Sequence, residues 1–228
     1  MPSVRRVALV TGANRGLGLA ISTLLHESGH RVVLAARDGA DAREAARGLG
    51  GSATWAALDV TDEDSVKAAA GRVGPVDILV NNAGVLLDTG LPTSAVPPAL
   101  VEQTLAVNLL GSWRVTQVFL PGMVRAGWGR VVMVSSGTGS FANGLFPKTP
   151  AYAVSKTALN ALTVLLATET AGSGVLVNAV NPGLVRTRMR PDAERLPEEA
   201  AADVVWAATL ADGSPTGVFF RHRRPADW

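Results

Sequence analysis

The sequence predicts an α/β fold in which one parallel β-sheet is covered by helices on both faces. Short β-branched runs alternate along the chain with longer helical stretches, and each run is continuously apolar instead of alternating with polar residues. Strands of that kind are buried on both faces, as in parallel sheets. A length of 228 residues and a hydrophobic content of 47% suit one large domain with a sizeable core.

Seven strands, approximately, are expected from these runs: Val7–Val10, Arg31–Ala35, Ala53–Ala57, Val76–Val80, Arg130–Val134, Val175–Val180 and Gly217–Phe220. The helical stretches between them are Gly16–Glu27, Asp41–Leu49, a helix opening at Thr61–Asp64, Pro98–Met123, Ala151–Thr170 and Glu198–Leu210. Thr61 is expected to cap the third helix, because a side-chain oxygen can accept a hydrogen bond from the first turn and acidic residues follow it. Neither a Pro/Gly/Ser-rich linker nor an internal repeat divides the chain, so residues 1–228 are expected to form one domain.

Composition and charge argue against several classes of protein. The formal net charge of +2 is too small to indicate nucleic-acid binding. No apolar run approaches the roughly 18 residues of a membrane span, and Met1–Arg6 shows no signal-peptide core, so we expect a cytoplasmic protein. The absence of cysteine excludes disulfides and thiolate metal sites. His26 and His30 are expected to be solvated near a helix end, and no metal site is predicted.

A glycine-rich turn, Thr11-Gly-Ala-Asn-Arg-Gly-Leu-Gly18, directly follows the first strand. Glycines at such a turn permit a tight bend, close approach of backbone to phosphate, and close packing of the helix on the strand. The N-terminus of the following helix then offers N–H groups to a pyrophosphate. Gly12, Gly16 and Gly18 could belong to an ordinary βα turn, but their position favours a dinucleotide-binding domain of the Rossmann type.

The end of the second strand bears on the choice of cofactor. An acidic residue there would bind a ribose 2′-hydroxyl, whereas an arginine accommodates a 2′-phosphate. Arg37 follows Ala36 at this point and offers a planar fork suited to phosphate. Arg15 in the glycine loop could reach the same group. The sequence therefore favours NADP(H), with Asp38 as a ribose ligand if the strand ends one residue later.

Tyr152 and Lys156 form a second motif, and Tyr152 is the only tyrosine in the chain. Residues four apart lie on one face of a helix, so the phenol and the ammonium can share a site. We expect Lys156 to lower the pKa of Tyr152 from its ordinary value of about 10, which would let it exchange protons near neutral pH. Combined with a dinucleotide cradle, this pair indicates carbonyl–alcohol redox chemistry.

With these residues the chain resembles the classical short-chain dehydrogenases/reductases over essentially its whole length. The motifs that carry the resemblance are Thr11–Gly18, Asp59-Val60, Asn81-Asn-Ala-Gly84, Asn108, Ser135-Ser136, Tyr152 with Lys156, and Asn181-Pro-Gly183 followed by Thr187. The tail from Pro215 to Trp228 is similar to the carbonyl-reductase-like members of that family.

The resemblance implies a cofactor site that runs from adenine to nicotinamide. Asp59 and Val60 would contact the adenine, and Pro182, Gly183 and Thr187 would hold the nicotinamide. The full expected set is Gly12, Asn14, Arg15, Gly16, Leu17, Gly18, Arg37, Asp59, Val60, Asn81, Ala83, Gly84, Tyr152, Lys156, Pro182, Gly183, Val185 and Thr187.

The resemblance also implies catalytic roles for four residues. Tyr152 would donate the proton, Lys156 would grip the ribose and lower the Tyr152 pKa, and Ser136 would hydrogen-bond the substrate carbonyl. Ser135 is the alternative to Ser136. Asn108 would brace the long helix and hold a water for proton relay, or act only as a buried bracing amide.

Together these expectations predict an enzyme that uses NADPH to reduce a ketone or aldehyde, or that catalyses the reverse reaction. Imine reduction, epimerisation, dehydration and a non-catalytic NADP(H) sensor remain alternatives. Two segments depart from the family pattern: Gly137–Pro150 is longer than common, and Arg188–Pro197 is short for a substrate lid. The first carries Phe141, Leu145 and Phe146, which could line an apolar substrate pocket or a subunit contact.

A homodimer or homotetramer is expected from two helices that are apolar on more than one face. Their apolar positions are Leu105, Val107, Leu109, Leu110, Val115, Val118 and Phe119 on the first, and Leu159, Leu162, Val164, Leu165 and Leu166 on the second. Members of the resembled family often pair through these helices around a two-fold axis.

Overall fold

A single mostly parallel sheet organises the molecule. The computed structural model describes residues 5–228. Its eight strands lie in the order β3-β2-β1-β4-β5-β6-β7-β8. Their bounds are β1 Val7–Thr11, β2 Arg31–Ala36, β3 Thr54–Ala57, β4 Ile78–Asn81, β5 Gly129–Val134, β6 Val175–Asn181, β7 Phe219–Arg221 and β8 Arg224–Ala226. β1 pairs in parallel with both β2 and β4, so the strand order reverses at β1 and opens a crevice at the carboxyl ends of these strands.

Helices cover both faces of this sheet, as expected. Their bounds are α1 Gly16–Glu27, α2 Gly39–Leu49, α3 Glu63–Val73, α4 Pro98–Leu105, α5 Ser112–Ala126, α6 Pro150–Glu169 and α7 Pro197–Ala208. One apolar core forms where α1, α2 and α7 pack on the sheet, and a second where α3, α5 and α6 pack on the other side. The predicted Rossmann-type α/β fold is confirmed.

The C-terminal end of the sheet differs from the prediction of about seven strands. β8 turns back antiparallel on β7 through a tight turn at His222 and Arg223. Both turn residues have positive φ, at 51° and 60°, a conformation usually supplied by Asn or Gly in such hairpins. The turn therefore lacks the sequence pattern of a hairpin, which explains why the eighth strand was not predicted.

The start of α3 is one residue later than predicted, so the assignment of Thr61 as its cap is wrong. The Asp62 carboxylate accepts hydrogen bonds from the backbone N–H groups of Asp64 at 2.9 Å and Ser65 at 3.3 Å. The Thr61 hydroxyl instead donates to Asp59 Oδ1 at 2.7 Å. An ionised carboxylate is the stronger acceptor for the positive end of a helix.

The predicted helix Pro98–Met123 is interrupted. A wider π-helical segment, Ala106–Gly111, separates α4 from α5. Asn108 lies in this segment and is fully buried. Such wide turns are rare and frequently accompany functional sites. Among the helices of residues 5–228, none is long and apolar enough to cross a membrane.

Candidate active site

A cavity of about 940 Å³ opens at the carboxyl ends of the strands, at the crevice created by the strand order. Its walls include the glycine loop, the ends of β2 and β3, Ser136, Tyr152, Lys156 and the segment after β6. The two motifs singled out in the sequence thus lie on one cavity. A groove of this size and position suits a dinucleotide with a small substrate beside it.

The glycine loop has the geometry of a phosphate cradle. Gly12 and Gly16 have positive φ, at 63° and 53°. A Cβ on Gly18 would lie 2.3 Å from the Gly12 carbonyl oxygen, so only glycine fits there. Arg15 precedes α1 but makes no side-chain cap, which leaves the first-turn N–H groups of α1 available to an anion. Asn14, Arg15 and Leu17 also line the cavity.

Asn82 holds this loop in place, and the sequence analysis did not assign it a role. Its side-chain amide donates to the carbonyl oxygens of Thr11 at 2.9 Å and Gly12 at 3.2 Å. Asn82, Ala83 and Gly84 line the cavity. Asn81 is absent from the cavity wall and is buried, its amide donating to Thr116 Oγ1 at 2.9 Å. Asn82, and not the expected Asn81, therefore lies at the cavity wall. The side chains of successive residues at the end of β4 point in different directions.

The end of the cavity that is expected to hold the adenosine is bounded by Arg37, Asp38, Asp59 and Val60. Asp38 Oδ1 accepts from Ala40 N at 2.7 Å and caps α2, so this carboxylate is already engaged. Arg37 is exposed at the cavity edge. Although partial burial acts to raise it, the pKa of Asp59 is held below its usual value by hydrogen bonds from Thr61 and the nearby Arg37 charge. The positive charge of Arg37 thus lies near the Asp59 carboxylate at this end of the cavity.

Lys156 and Tyr152 face the cavity from α6, but the shift of the Tyr152 pKa differs from the expectation. Burial lowers the pKa of Lys156 to about 8. Burial also raises the pKa of Tyr152 to about 12, and a hydrogen bond with Ser136 acts in the opposite direction. Lys156 Nζ donates to the Val134 carbonyl oxygen at 2.7 Å and lies 5.6 Å from the centroid of the Tyr152 ring. The prediction that Lys156 lowers the Tyr152 pKa is therefore wrong, because burial raises this pKa by more than the Ser136 hydrogen bond lowers it.

The two adjacent serines have different environments. Ser136 Oγ accepts from Thr138 N at 3.2 Å and interacts with the Tyr152 hydroxyl. Ser135 Oγ donates to Asn160 Oδ1 at 2.5 Å in the protein interior. The hydroxyl beside Tyr152 is therefore that of Ser136.

Asn108 makes a complete set of hydrogen bonds within the protein. Its Oδ1 accepts from Val85 N at 2.8 Å, and its Nδ2 donates to Val85 O and Ser155 Oγ, each at 2.9 Å. The side chain does not form part of the cavity wall. Asn108 thus ties the segment after β4 to α6 in the turn that carries Tyr152.

Asp88 is a further polar residue beside the site and was not predicted. It is 0% exposed, and its Oδ2 accepts from Ala151 N at 2.6 Å and Tyr152 N at 3.4 Å. The local N-cap position, Thr149, makes no side-chain cap, so this distant carboxylate caps α6. Asp88 therefore holds the backbone of Tyr152 itself.

The substrate end of the cavity is bounded by the segment after β6 and the long loop after β5. Pro182, Gly183, Val185 and Thr187 line it, as do Leu184, Met189 and Phe146. Of the residues expected in the long loop, Phe146 reaches the cavity, whereas Phe141 is 69% exposed and outside its wall. Leu184, Met189 and Phe146 thus give this end of the cavity an apolar part, beside the charged Arg188 and Arg190.

Comparison with known proteins agrees with this architecture. The family profile described as short chain dehydrogenase matches residues 6–197. Oxidoreductase UcpA of Salmonella typhimurium is 40% identical over 81% of this chain and 71% of its own length. Acetoacetyl-CoA reductase of Cupriavidus necator is 35% identical over 95% of this chain and 96% of its own length.

The likeness extends to three dimensions. The crystal structure of 3-ketoacyl-(acyl-carrier-protein) reductase from Brucella melitensis complexed with NADH superimposes with a TM-score of 0.86. The two chains are 26% identical over 95% of this chain and 96% of the other. Motifs, fold and relatives agree, and the protein belongs to the classical short-chain dehydrogenase/reductase family of oxidoreductases.

Proposed function

We propose that this protein is an NADPH-dependent carbonyl reductase whose substrate is a largely apolar small-molecule ketone or aldehyde. The observation that carries the proposal is the convergence of Ser136, Tyr152 and Lys156 on the same cavity as the glycine loop. The bound dinucleotide would supply the hydride from its nicotinamide ring.

The residues present fit a dinucleotide. The uncapped start of α1 suits the pyrophosphate, and the glycine loop leaves room for close approach. Leu58, Asp59 and Val60 line one end of the cavity, where the adenine would lie, and Pro182 to Thr187 line the other, where the nicotinamide would lie. Lys156 is expected to contact the nicotinamide ribose.

The chain's own residues then perform the proton chemistry. Tyr152 is held in its protonated form by burial, since its pKa is raised to about 12, and so can donate a proton to the carbonyl oxygen. Ser136 donates a hydrogen bond to the same oxygen and stabilises the negative charge that develops there. In the reverse direction Tyr152 would accept the proton, which requires its pKa to fall when ligands bind.

Turnover with a panel of carbonyl compounds tests the reaction. We expect the purified protein to oxidise NADPH with one or more aromatic ketones, quinones, aldehydes or 3-ketoacyl thioesters, the last chosen from the names of its relatives. Tyr152→Phe should reduce turnover by at least ~10²-fold, the usual contribution of general acid–base catalysis. Its dissociation constant for NADPH should remain within about twofold of the parent value, because only the hydroxyl is lost.

Thr149→Val is the matched control, since it removes a different hydroxyl from the same cavity wall. It should retain most of the parent turnover. If Tyr152→Phe also retained it, the catalytic assignment would be wrong. Tight NADPH binding without turnover of any compound in the panel would instead favour the sensor alternative.

The preference for NADPH rests on Arg37 and Arg15, since charge-assisted contacts to a phosphate are among the strong ones. Titration should show NADPH binding more tightly than NADH. Arg37→Ala should reduce that preference by roughly tenfold or more, while Arg43→Ala, which removes a neighbouring charge outside the cavity, should leave it unchanged. Equal binding of the two cofactors by the parent protein would refute the preference.

A further inference from the structure

A cluster of charged residues lies behind the nicotinamide end of the cavity. The Asp203 side chain on α7 is 7% exposed and is paired at both carboxylate oxygens. Arg195 Nη2 lies 2.7 Å from Asp203 Oδ2, and Arg223 Nε, in the turn between β7 and β8, lies 3.1 Å from Oδ1. His222 Nδ1 is 3.9 Å from Oδ2. The buried carboxylate is therefore neutralised by two guanidinium groups from separate segments.

Arg195 also reaches the cavity wall from behind. Its Nη1 donates to the Pro182 carbonyl oxygen at 2.6 Å, and its Nη2 donates to the Glu199 carbonyl oxygen at 3.2 Å. Arg195 itself is not part of the cavity lining, whereas Pro182 and Gly183 are. One planar side chain thus connects the buried Asp203 to the backbone expected to hold the nicotinamide.

The backbone of Arg195 strengthens the same connection. Arg186 N donates to the Arg195 carbonyl oxygen at 2.8 Å, and Val185 and Arg195 form a parallel β-bridge. Gly183 has a φ of 78°, and a Cβ there would lie 3.5 Å from Arg195 Nη1. The segment 182–187 is therefore held on one side by Arg195 at both side-chain and backbone level.

We propose that Arg195, anchored by Asp203, is a positioning residue that sets the nicotinamide half of the cofactor site. This inference rests on the proposed nicotinamide dinucleotide. A guanidinium can bridge two acceptors with fixed geometry, and its hydrogen bonds to a carboxylate are strong. The short segment between Thr187 and Leu196 is then fastened to α7 through Arg195, which keeps the Pro182 carbonyl and its neighbours in one conformation.

Binding of a complete and a truncated ligand tests this role. Dissociation constants are measured by calorimetry for NADPH and for 2′-phospho-ADP-ribose, which lacks the nicotinamide ring. Arg195→Met should weaken NADPH binding by roughly tenfold, the equivalent of one charge-assisted hydrogen bond, and leave 2′-phospho-ADP-ribose within about twofold. Arg195→Lys keeps the charge but cannot bridge both acceptors, so a smaller loss with the same selectivity is expected.

Arg223→Met is the matched control. It removes the other partner of Asp203 but makes no hydrogen bond to the segment 182–187, so both ligands should bind it as they bind the parent protein. An equal loss of both ligands in Arg195→Lys, or unchanged NADPH binding in that variant and in a folded Arg195→Met, would overturn the proposal. Failure of the proposed function appears separately, as weak binding of NADPH to the parent protein or absence of turnover.

Discussion

Tyr152 and Lys156 lie one helical turn apart on α6, and burial shifts the pKa of each in the direction that disfavours its charged form. Burial lowers the pKa of the Lys156 ammonium to about 8, well below its ordinary 10.5. The lysine uses the Val134 carbonyl oxygen as its hydrogen-bond partner. A phenol in this environment is a proton donor, and its conversion to a base depends on what the bound cofactor adds to the local charge.

The lowered pKa of Lys156 has a consequence for stability. Between pH 8 and pH 10.5 this lysine is protonated in the unfolded chain but has lost its proton in the folded chain. The contribution of Lys156 to the free energy of unfolding therefore rises with pH in this range. This term should increase by about 2 kcal/mol from pH 8 to pH 10 and should disappear in Lys156→Met. The raised pKa of Tyr152 acts in the opposite direction, and its contribution begins as the pH approaches 10 and grows above it.

Urea unfolding of the ligand-free protein at the two pH values measures the difference. Lys67→Met, on the exposed surface of α3, is the control and should keep the increase seen in the parent. An equal pH dependence in the parent and in Lys156→Met would contradict the assignment.

Asp88 supports the position of Tyr152 through the backbone. Asp88→Ala should lower the free energy of unfolding by about 1–3 kcal/mol, because two N–H groups at the start of α6 lose their acceptor in the interior. Asp88→Asn retains an oxygen acceptor and should recover most of that loss. In folded Asp88→Ala, kcat should fall by a larger factor than the affinity for NADPH. Restoration of kcat by Asn but not by Ala would separate positioning from a need for negative charge.

At the scale of elements, the π-helical segment Ala106–Gly111 is the feature that most affects the site. It places Asn108 between the segment after β4 and α6, and each hydrogen-bonding group of the amide is used. Gly111 permits this packing, since a Cβ there would lie 2.7 Å from Val60 Cγ2. The two sides of the cavity are thereby connected beneath Tyr152.

Replacement of the Asn108 amide should break the hydrogen bonds that connect the segment after β4 to α6. Asn108→Asp keeps the acceptor for Val85 N but loses the donor to Val85 O and Ser155 Oγ, so we expect a loss of roughly 2 kcal/mol or more in the free energy of unfolding. Thr104→Val is the control: this buried hydroxyl bonds only to the Leu100 carbonyl of its own helix, and its loss should cost less. Similar losses in the two variants would refute the bracing role.

The elements that could be predicted from sequence are those whose cause is local. The buried parallel strands have continuous apolar runs, and the turn after β1 has glycines that its geometry requires. Asp88 escaped prediction because the N–H it caps lies 63 positions away in the sequence. Arg195 escaped for the same reason, since neither Pro182 nor Asp203 forms a recognisable pattern with it. The Tyr152 pKa depends on burial, which spacing alone does not reveal.

At the scale of the whole molecule, the π-helical segment and the helices α5 and α6 leave several apolar side chains exposed. Leu110, Trp113, Val154, Val164 and Leu165 are exposed there, whereas Val115, Phe119, Leu159, Leu162 and Leu166 of the same helices are buried in the core. Only part of the predicted apolar excess is therefore covered within the chain. A second copy of the protein remains our expectation for the rest.

Light scattering at micromolar concentration tests this expectation. The parent protein should have at least twice the 23.5 kDa mass of one chain. Leu165→Glu should lower the mass toward that of a single chain without unfolding, since Leu165 is 64% exposed. Trp55→Glu, which changes an exposed apolar side chain on the edge strand β3, is the control and should leave the mass unchanged. A parent mass of 23.5 kDa would rule out the oligomer.

The single tyrosine of this chain lies in the wall of the cavity, next to Ser136 and one turn from Lys156. Biosynthetic replacement of tyrosine by a fluorinated analogue would thus label one position only, and fluorine NMR would give a single resonance. The chemical shift of that resonance would follow the ionisation of the phenol directly, in the free protein, with each cofactor and with inhibitors. The proton-transfer group therefore serves as its own spectroscopic probe, with no background from other residues of its type.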